Sequence, residues 1–521
     1  MSGTQEFAPR TVSNAGLSRA SSANFVLGTA SATCALIVLD TNVVAVSLPS
    51  IARSFHAGFA DVEWVVSAYM VAFASLLLPC GALADRVGRR KMWLAGLAVF
   101  FVASLGCGLA PSAALLNIAR AVKGGGAAML LTAALAVIAN TFDAGPARVR
   151  AWAVWGTCMG LATTVAPLVG GVITQWFGWR WVFLLNLPVC AVLAACVLRS
   201  VRESRNPDAG PLDLSGSALF GVALAVGIWA LIGAQADGWV SVATLGKLAV
   251  SAVLMAAFIR QQRHRDHAMV DLSLFRQARF VAAVLAMFGY AACAQVMMTF
   301  LPLYLQNAFG MSAVAAGVGM LPFAIAMIAG PRIGAALSAR LSATALLVLG
   351  LSMVGAGNLL TACLAAFHAP YAMVGIGMIV TGCGAGVLNG DTQKAIMACV
   401  PSNRTGMASG ISTTTRFTAI VMSVGVLGAV LAARTRSALQ ADLGVLPAVR
   451  QHVNADFISR VLSGDAAQAT GALPEPLRSA LARVASESFA SGFGASLAVA
   501  GCLAVSIAAM VWILGTRPAE V

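Results

Sequence analysis

The chain has 521 residues, of which 59% are hydrophobic and only 10% are charged, and its mean hydropathy is +0.86. This composition lies outside the range of soluble domains. Apolar runs of about 20 residues, the length that crosses a bilayer core as a helix, recur along the whole sequence. Because lipid offers the backbone no hydrogen-bond partner, such runs must be helical. The sequence therefore predicts an all-α polytopic membrane protein.

About fourteen apolar spans lie between residues 24 and 514 by hydropathy. Before them, residues 1–23 are polar and rich in serine and alanine, which predicts a disordered cytoplasmic tail. The first apolar run is too long for a signal-peptide core and contains Asp40, so we interpret it as a retained helix. After the thirteenth span, the mixed charges and amphipathic stretches of residues 433–488 predict a small external cap. Residues 515–521 form a second short cytoplasmic tail.

Arginine and lysine residues gather in alternate loops. The loops on one side include the basic clusters at residues 86–91, 148–150, 199–205 and 260–265. The loops on the other side hold little besides Arg53 and Arg180. The positive-inside rule therefore places both termini in the cytoplasm. Topology explains most of the net charge of +14, so no nucleic-acid partner is predicted. A composition rich in alanine and arginine but poor in lysine indicates a GC-rich bacterium and hence its inner membrane.

No catalytic or metal-binding pattern stands out in the sequence. The eleven cysteines form no C-x-x-C pair, which is typical of small apolar packing residues. The stretch "KGGGAA" at 123–128 lacks the residue order of a phosphate-binding loop. No Ser/His/Asp set and no pair of carboxylates is evident. We therefore predict no enzyme activity, no metal site and no cofactor.

The stretch "GALADRVGRRK" at 81–91 concentrates charge between the second and third spans. Topology explains its arginines but not their regular spacing with glycine and aspartate. The spaced residues are Gly81, Asp85, Arg86, Gly88, Arg89 and Arg90. This spacing resembles the loop of the major facilitator superfamily that latches the two halves in the outward-open state. A partial echo at 330–342, with Ala339 at the acid position, indicates the internal duplication common in secondary transporters.

Further motifs narrow the resemblance to the fourteen-helix drug:proton antiporter family. "LDTNVVAVSLPSI" at 39–51 resembles the family's first-helix motif, with Ala45 in place of an asparagine. The other similar stretches are "WRWVFLLNLPV" at 179–189, "LDLSGSAL" at 212–219, "DLSLFRQARF" at 271–280, "LPLYLQNAFGMSAVAAGVGMLP" at 301–322 and "RTGMASGISTTTRF" at 404–417. The resemblance implies a six-helix bundle in 24–200, two inserted helices in 201–262 and a second six-helix bundle in 263–514.

Spans four and five depart from the family pattern in part. "VAPLVGG" in span five resembles the antiporter motif G-P-x-x-G-G, with Ala166 replacing the first glycine. Its retained residues are Pro167, Gly170 and Gly171, which the resemblance implies take part in antiport. In span four, "RAVKGGGAA" keeps Arg120 and has Lys123 in place of a glutamine.

Ionisable groups inside a membrane are costly, so each is a candidate for function. Asp40 has two interpretations: a buried ion pair with Arg120 that joins helices one and four, or a proton carrier. Desolvation raises a carboxyl pKa and a nearby cation lowers it, so an opening cavity can switch the group. We favour the carrier, and a pair that breaks on protonation would be both. Asp391 and Arg416 are a candidate second pair, with Asp391 near Lys394 at the cytoplasmic vestibule as the alternative.

Several side chains are candidates to line a central cavity, with packing as the alternative for each. They are Asn42, Trp64, Tyr69, Lys123, Gln295, Met298, Asn389, Asp391 and Arg416. The embedded charges show no surplus of acid, and Lys123 tilts the cavity towards positive. We therefore predict neutral, zwitterionic or anionic amphiphiles as substrates rather than dications.

Together these patterns predict a proton-coupled secondary transporter that exports amphiphilic small molecules or drugs by alternating access. Its partners would be the substrate, protons and the lipid bilayer, and a periplasmic adaptor is left open. The alternatives are a dedicated exporter of an endogenous metabolite, an importer, or a non-transporting sensor that relies on residues 433–488. A membrane-embedded enzyme ranks last because no catalytic constellation is present.

Overall fold

The structure of the chain is a computed structural model. It describes residues 14–142, 146–205, 213–265, 272–295, 297–400, 405–445, 455–462, 474 and 477–517. The elements formed by these residues are helices, with no strand among them. Within the described ranges, thirteen helices are long and apolar enough to cross a membrane, and a bent pair adds a fourteenth span. The all-α polytopic architecture and the number of spans predicted from the sequence are confirmed.

The first six spans pack as one bundle. They are α1 (Asn14–Phe55), α2 (Phe59–Val87), α3 (Arg89–Gly108), α4 (Ala113–Thr141), α5 (Pro146–Trp176) and a sixth span of α6 (Arg180–Leu184) and α7 (Asn186–Ser200). Small residues let these helices approach closely, as is common in membranes. A Cβ atom on Gly124 of α4 would lie only 2.2 Å from the carbonyl oxygen of Tyr69 in α2. This contact fixes α4 against α2.

Helix α1 begins earlier than the apolar run predicts. Residues from Asn14 onward are helical, so the predicted disordered tail is wrong for its last part. Proline is absent from this stretch, and its alanines, leucine and arginine are good helix formers, so the helix of the first span can continue into a polar segment. Residues 1–13 lie outside the described part of the chain.

Helix α2 is sharply bent. The segments Asp61–Leu77 and Pro79–Val87 meet at an angle of 51°. The ring of Pro79 accounts for the bend, because proline lacks an amide donor and clashes with the preceding turn. The bend redirects the chain just before the charged loop at 81–91.

Two further helices, α8 (Leu214–Asp237) and α9 (Val242–His264), follow the first bundle. Asp213 caps α8 by accepting from the Gly216 amide at 2.8 Å, and it also contacts Gln262 and Arg265 at the end of α9. Burial opposes ionisation of Asp213, but these hydrogen bonds and the arginine outweigh it and lower its pKa. The hairpin is thereby closed at one end, and α8 packs against both α2 and α16.

The remaining spans form the second bundle, after a short 3-10 helix at Leu272–Arg276. They are α10 (Ala278–Tyr290), a π-helical turn (Ala291–Gln295), α11 (Met297–Ala308), α12 (Ala313–Gly319), α13 (Leu321–Leu337), α14 (Ala343–Ala366), α15 (Tyr371–Ala398), α16 (Thr405–Val445), α17 (Ala455–Leu462) and α18 (Leu477–Gly515). The ninth span is α10, the π turn and α11, and the tenth is α12 with α13.

The segment predicted as an external cap is largely helical where it is described. Helix α16 continues to Val445, and α18 already begins at Leu477, so the two spans extend into the predicted loop. Between them, the short helix α17 buries Phe457 and Val461 and packs against α2, α16 and α18. Residues 446–454 and 463–473 lie outside the described residues.

The two bundles are in contact at one side of the molecule, and α2 and α16 also pack against each other. We call the side that carries residues 85–91 and 199–205 the basic side. At the opposite side, the Gln306 side chain of α11 donates to the Val46 carbonyl of α1 at 3.3 Å. The Val314 amide of α12 donates to the Gln175 side chain of α5 at 3.2 Å. The bundles are therefore joined at the side opposite the basic loops.

Candidate functional site

Asp40 lies at the centre of a buried charge cluster in the first bundle. Its side chain is fully buried, and so are those of Arg120 and Lys123 of α4 beside it. Arg120 Nη1 donates to one carboxylate oxygen at 2.8 Å, and Lys123 Nζ contacts the other. Asn186 of α7 also donates to Asp40, at 3.0 Å. Because residues three apart share one face of a helix, α4 presents both cations to the same carboxylate.

Aromatic rings and a backbone carbonyl surround the two cations. The Arg120 guanidinium lies 4.2 Å from the centre of the Tyr69 ring, and its Nε donates to the Val65 carbonyl at 2.9 Å. Lys123 Nζ lies 4.7 Å from the ring centre of Phe100 and 4.9 Å from that of Phe183. Such contacts attract cations most strongly where water is excluded. The cluster therefore ties α1 to helices α2, α3, α4, α6 and α7.

One carboxylate in this cluster faces two cations. Its neighbours stabilise the ionised form of Asp40, since protonation would leave both cations buried without a counter-charge. The structure shows the buried ion pair of Asp40 with Arg120, and the role of Asp40 as a proton carrier stays a prediction.

Five of the predicted cavity residues have other surroundings in this structure. Lys123 is fully buried against Asp40, so the prediction that its charge tilts the cavity is wrong. Tyr69 and Met298 are also buried in the helix packing. Trp64 faces the inserted helix α8, where it lines a pocket of about 320 Å³ with Trp229. Asn42 is half-buried and donates to its own helix.

Arg416 is the centre of a polar cluster in the second bundle. Its Nε donates to Gln295 at 3.2 Å, and its Nη2 donates to the Tyr290 hydroxyl at 3.0 Å and to Asn389 at 2.8 Å. Gln295 also donates to the Tyr290 hydroxyl, at 3.1 Å. The structure thus brings three predicted cavity residues together, and it adds Tyr290, which the sequence analysis did not single out.

Asp391 does not pair with Arg416. Its carboxylate instead contacts Lys394 at 2.9 Å, and the Lys394 side chain is 74% exposed. Asn389 and Asp391 are two residues apart on α15, so they project in different directions. The structure therefore shows the alternative in which Asp391 lies beside Lys394.

A line of aromatic rings connects the neighbourhoods of the two clusters. Tyr69, which carries Arg120 on its ring, stacks on Phe73 with a centre distance of 6.0 Å. Phe73 in turn meets Phe417 of α16 edge to face at 4.3 Å. Phe417 follows Arg416 in the chain. A continuous set of aromatic contacts therefore runs from the Asp40 cluster to α16.

The loop at 81–91 is bound to its own bundle. Arg89 contacts Asp85 at 2.9 Å, and Arg90 donates to the Leu198 carbonyl at 2.8 Å. Glu203 accepts from the backbone amides of Arg90 and Lys91 and fills the space that a Cβ on Gly88 would need. Gly88 also has a φ of 120°, which only glycine adopts readily. Arg86 is exposed. A Cβ on Gly81 would lie 3.8 Å from the Thr132 side chain, which is an ordinary contact distance. The latch role of the loop stays a prediction.

The span-five motif lies where α5 crosses two other helices. A Cβ on Gly170 would lie 2.9 Å from the Val43 carbonyl of α1, and one on Gly171 would lie 2.5 Å from the Ala313 carbonyl of α12. A Cβ on Gly317 of α12 would likewise lie 2.5 Å from the Pro167 carbonyl oxygen. Gly170 therefore allows α5 to pack closely on α1 within the first bundle, and Gly171 allows α5 to meet α12 of the second bundle at the side opposite the basic loops.

Glu63 is a buried acid that the sequence analysis missed. It lies near the start of α2, is 3% exposed, and contacts Gly428 of α16 between the two bundles. An acid at the edge of an apolar run is ordinarily an interfacial residue, so its position in the sequence gave no signal. Asn186 was missed as well, although a lone asparagine inside span six was a usable signal. The buried acids of the chain therefore include Glu63, which the sequence-based comparison of embedded acids and cations did not count.

Gly428→Ala is expected to lower stability by about 1–3 kcal/mol, the usual cost of overpacking a tight contact. A Cβ on Gly428 would overlap the Glu63 carboxylate, which is 1.7 Å from that position. The measurement is the thermal unfolding midpoint of the purified chain in detergent. Combining Gly428→Ala with Glu63→Ala should recover part of the loss, and Gly375→Ala, which has open space, is the control. Strictly additive losses in the double variant would contradict the contact.

Two helical bundles that meet at a seam, each with charged side chains embedded in its interior, define the class of secondary transporters. The family model of the Major Facilitator Superfamily matches residues 30–425. The chain therefore belongs to that superfamily. It is therefore a multi-pass membrane protein of the transporter type.

Curated relatives cover most of the chain. The multidrug resistance protein Stp of Mycobacterium tuberculosis is 34% identical over 81% of this chain and 79% of its own length. The multidrug efflux pump LfrA of Mycolicibacterium smegmatis is 33% identical over 92% of this chain and 94% of its own. The tetracenomycin C resistance and export protein of Streptomyces glaucescens is 30% identical over 93% and 90%.

A solved structure shares the fold. A bacterial homologue of the human lysosomal transporter Spinster, in an inward-facing and occupied conformation, superposes with a TM-score of 0.64. It is 15% identical in sequence, and the match covers 94% of this chain and 96% of that one. This likeness concerns the fold alone.

Proposed function

We propose that this chain is a proton-coupled exporter of amphiphilic small molecules or drugs, working by substrate/proton antiport. The observation that carries the proposal is Asp40, held between Arg120 and Lys123 inside the first bundle. Similarity to two multidrug proteins and to an antibiotic export protein supports the direction and the substrate class.

The orientation follows from the charges of the loops. The positive-inside rule puts the basic side in the cytoplasm, together with both chain termini, and the opposite side outside. Contacts between α5 and α12 and between α1 and α11 then lie on the outer side. The structure corresponds to a state that is closed to the outside. The membrane would be the inner membrane of a bacterium.

The exchange cycle rests on a buried charge pair that a proton can break. When the outer side opens, a proton reaches Asp40 and weakens its attraction to Arg120 and Lys123. Arg120 can then move on the Tyr69 ring, and the Phe73–Phe417 contact transmits the movement to α16. Substrate leaves outward and the proton inward. Coupling requires only that proton and substrate favour opposite states by about 1–3 kcal/mol.

The direct test uses everted membrane vesicles with an acidified interior. Addition of a transported compound should release protons from the vesicles in proportion to expression of the chain, because each exchange moves a proton out of the interior. A panel of anionic, neutral, monocationic and dicationic amphiphiles covers the substrate class, and vesicles without the chain are the control. If no compound in the panel produced a response above that control, the proposal of proton-coupled multidrug export would fail, and a dedicated metabolite exporter or a sensor would take its place.

A further inference from the structure

The Arg416 guanidinium differs from that of Arg120 in the charge of its partners. Arg120 contacts a carboxylate, whereas the acceptors around Arg416 are the neutral groups of Tyr290, Gln295 and Asn389. In the described part of the chain, no carboxylate lies within ion-pair distance of Arg416. A charge inside a membrane protein is costly unless it is matched. The second bundle therefore holds a cation whose counter-charge is missing.

The neutral partners hold the guanidinium in a fixed orientation. They occupy its Nε and Nη2 donors, and among the described residues none accepts from Nη1. Tyr290 and Gln295 are brought to the same guanidinium by the π-helical turn at Ala291–Gln295. Such turns are frequent at functional sites. A rigid arginine whose Nη1 group is free is suited to bind an anion through charge-assisted N–H donors.

Open space and an apolar wall lie beside this cluster. Arg416 is only partly buried. A Cβ on Gly390, the residue after Asn389, would meet no atom within 4 Å, so α15 borders empty volume there. Phe417, next to Arg416, contacts Phe73 of the first bundle. An amphiphile could thus place its charged end at Arg416 and its apolar body along the aromatic contact between the bundles.

We propose that Arg416 is the receptor for an anionic group of the transported amphiphile. Resting on the proposed export function, the inference adds a charge preference for substrates that carry a carboxylate or a comparable anion. It replaces the earlier argument from Lys123, whose charge is already taken up by Asp40.

The test is equilibrium binding to the purified full-length chain in detergent, without a proton gradient. The probes are dansyl-labelled undecanoate and its primary amide, which share the apolar body and differ in charge, and binding is followed by dansyl fluorescence. Wild type should bind the carboxylate at least about tenfold more tightly than the amide, the usual value of one charge-assisted hydrogen bond. Equal binding of the two probes would overturn the proposal without any variant.

Arg416→Met should remove this preference and leave binding of the amide nearly unchanged. Arg416→Gln is the second variant, because its amide can still donate to Tyr290 or Asn389. Lys394→Met is the matched control, since it removes a cation of the same bundle that is already paired with Asp391. A preference for the carboxylate that survived in both Arg416 variants would place the anion elsewhere and refute the assignment.

Failure of this inference and failure of the proposed function give different results. If the carboxylate binds through Arg416 but no compound drives proton release from vesicles, the site stands and antiport fails. If cationic compounds drive proton release while the carboxylate probe shows no preference, export stands and the anion receptor is refuted.

Discussion

Asp40→Asn is expected to leave the chain folded in the membrane and to reduce substrate-driven proton release to the background of vesicles without the chain. Asparagine keeps the shape of the carboxyl group but cannot exchange a proton. It also leaves Arg120 and Lys123 buried without a counter-charge, so the closed cluster should be weakened. The measurement compares proton release from everted vesicles at equal membrane levels of the two chains.

A matched variant separates the loss of the proton site from the loss of charge balance. Asp40→Asn combined with Lys123→Met has the same net charge in the cluster as the wild type, because one cation and one anion are removed together. Methionine also keeps roughly the length and apolar stem of the lysine. The double variant should regain thermal stability relative to the single variant and still show no coupled proton release. Restored proton release in the double variant would mean that Asp40 balances charge and carries no proton.

The sequence predicted the spans and the pair at Asp40 because both depend on signals along the chain. Apolar length gives the spans, and the cost of an embedded charge singles out Asp40 and Arg120. Lys123 lies three residues after Arg120 and so shares its face of α4, a signal that the prediction for Lys123 did not use. For residues without such a marker, the side that they face could not be predicted. In a membrane helix the lipid-facing and core-facing residues are both apolar, so hydrophobic periodicity does not show which side a residue faces.

The same uncertainty about which side a helical residue faces explains why the candidate pair of Asp391 and Arg416 was wrong, whereas the alternative with Asp391 beside Lys394 was right. Asp391 and Asn389 are separated by only two positions on α15, and this rotation decides which of them reaches Arg416. The partner set of Arg416 also depends on the π-helical turn, which no sequence pattern indicated. Gly171 illustrates the opposite case. The resemblance marked it as part of an antiporter motif, but only the packing of α5 on α12 supplies a physical reason for a glycine there.

Gly171→Val is expected to keep the outer side of the transporter from closing. A Cβ on Gly171 would lie 2.5 Å from the Ala313 carbonyl and 2.9 Å from the Val314 Cα, both backbone atoms that cannot swing away. Overpacking of this kind costs about 1–3 kcal/mol, which shifts a two-state equilibrium roughly 5- to 150-fold. The clash exists only while α5 and α12 are in contact. Its cost therefore falls on the closed state and favours the outward-open one.

The populations of the closed and outward-open states can be measured from the distance between two spin labels, in a chain whose native cysteines are replaced. The labels are placed at Trp176 and Phe367, which are exposed residues on the outer side of the two bundles. Gly171→Val should move the distribution towards longer distances and slow substrate-driven proton release, because each cycle must pass through the closed state. Gly375→Val is the control, since a side chain there enters open space. An unchanged distance distribution in Gly171→Val would mean that α5 and α12 accommodate the larger side chain without opening the outer side. Gly171 would then have no part in closure.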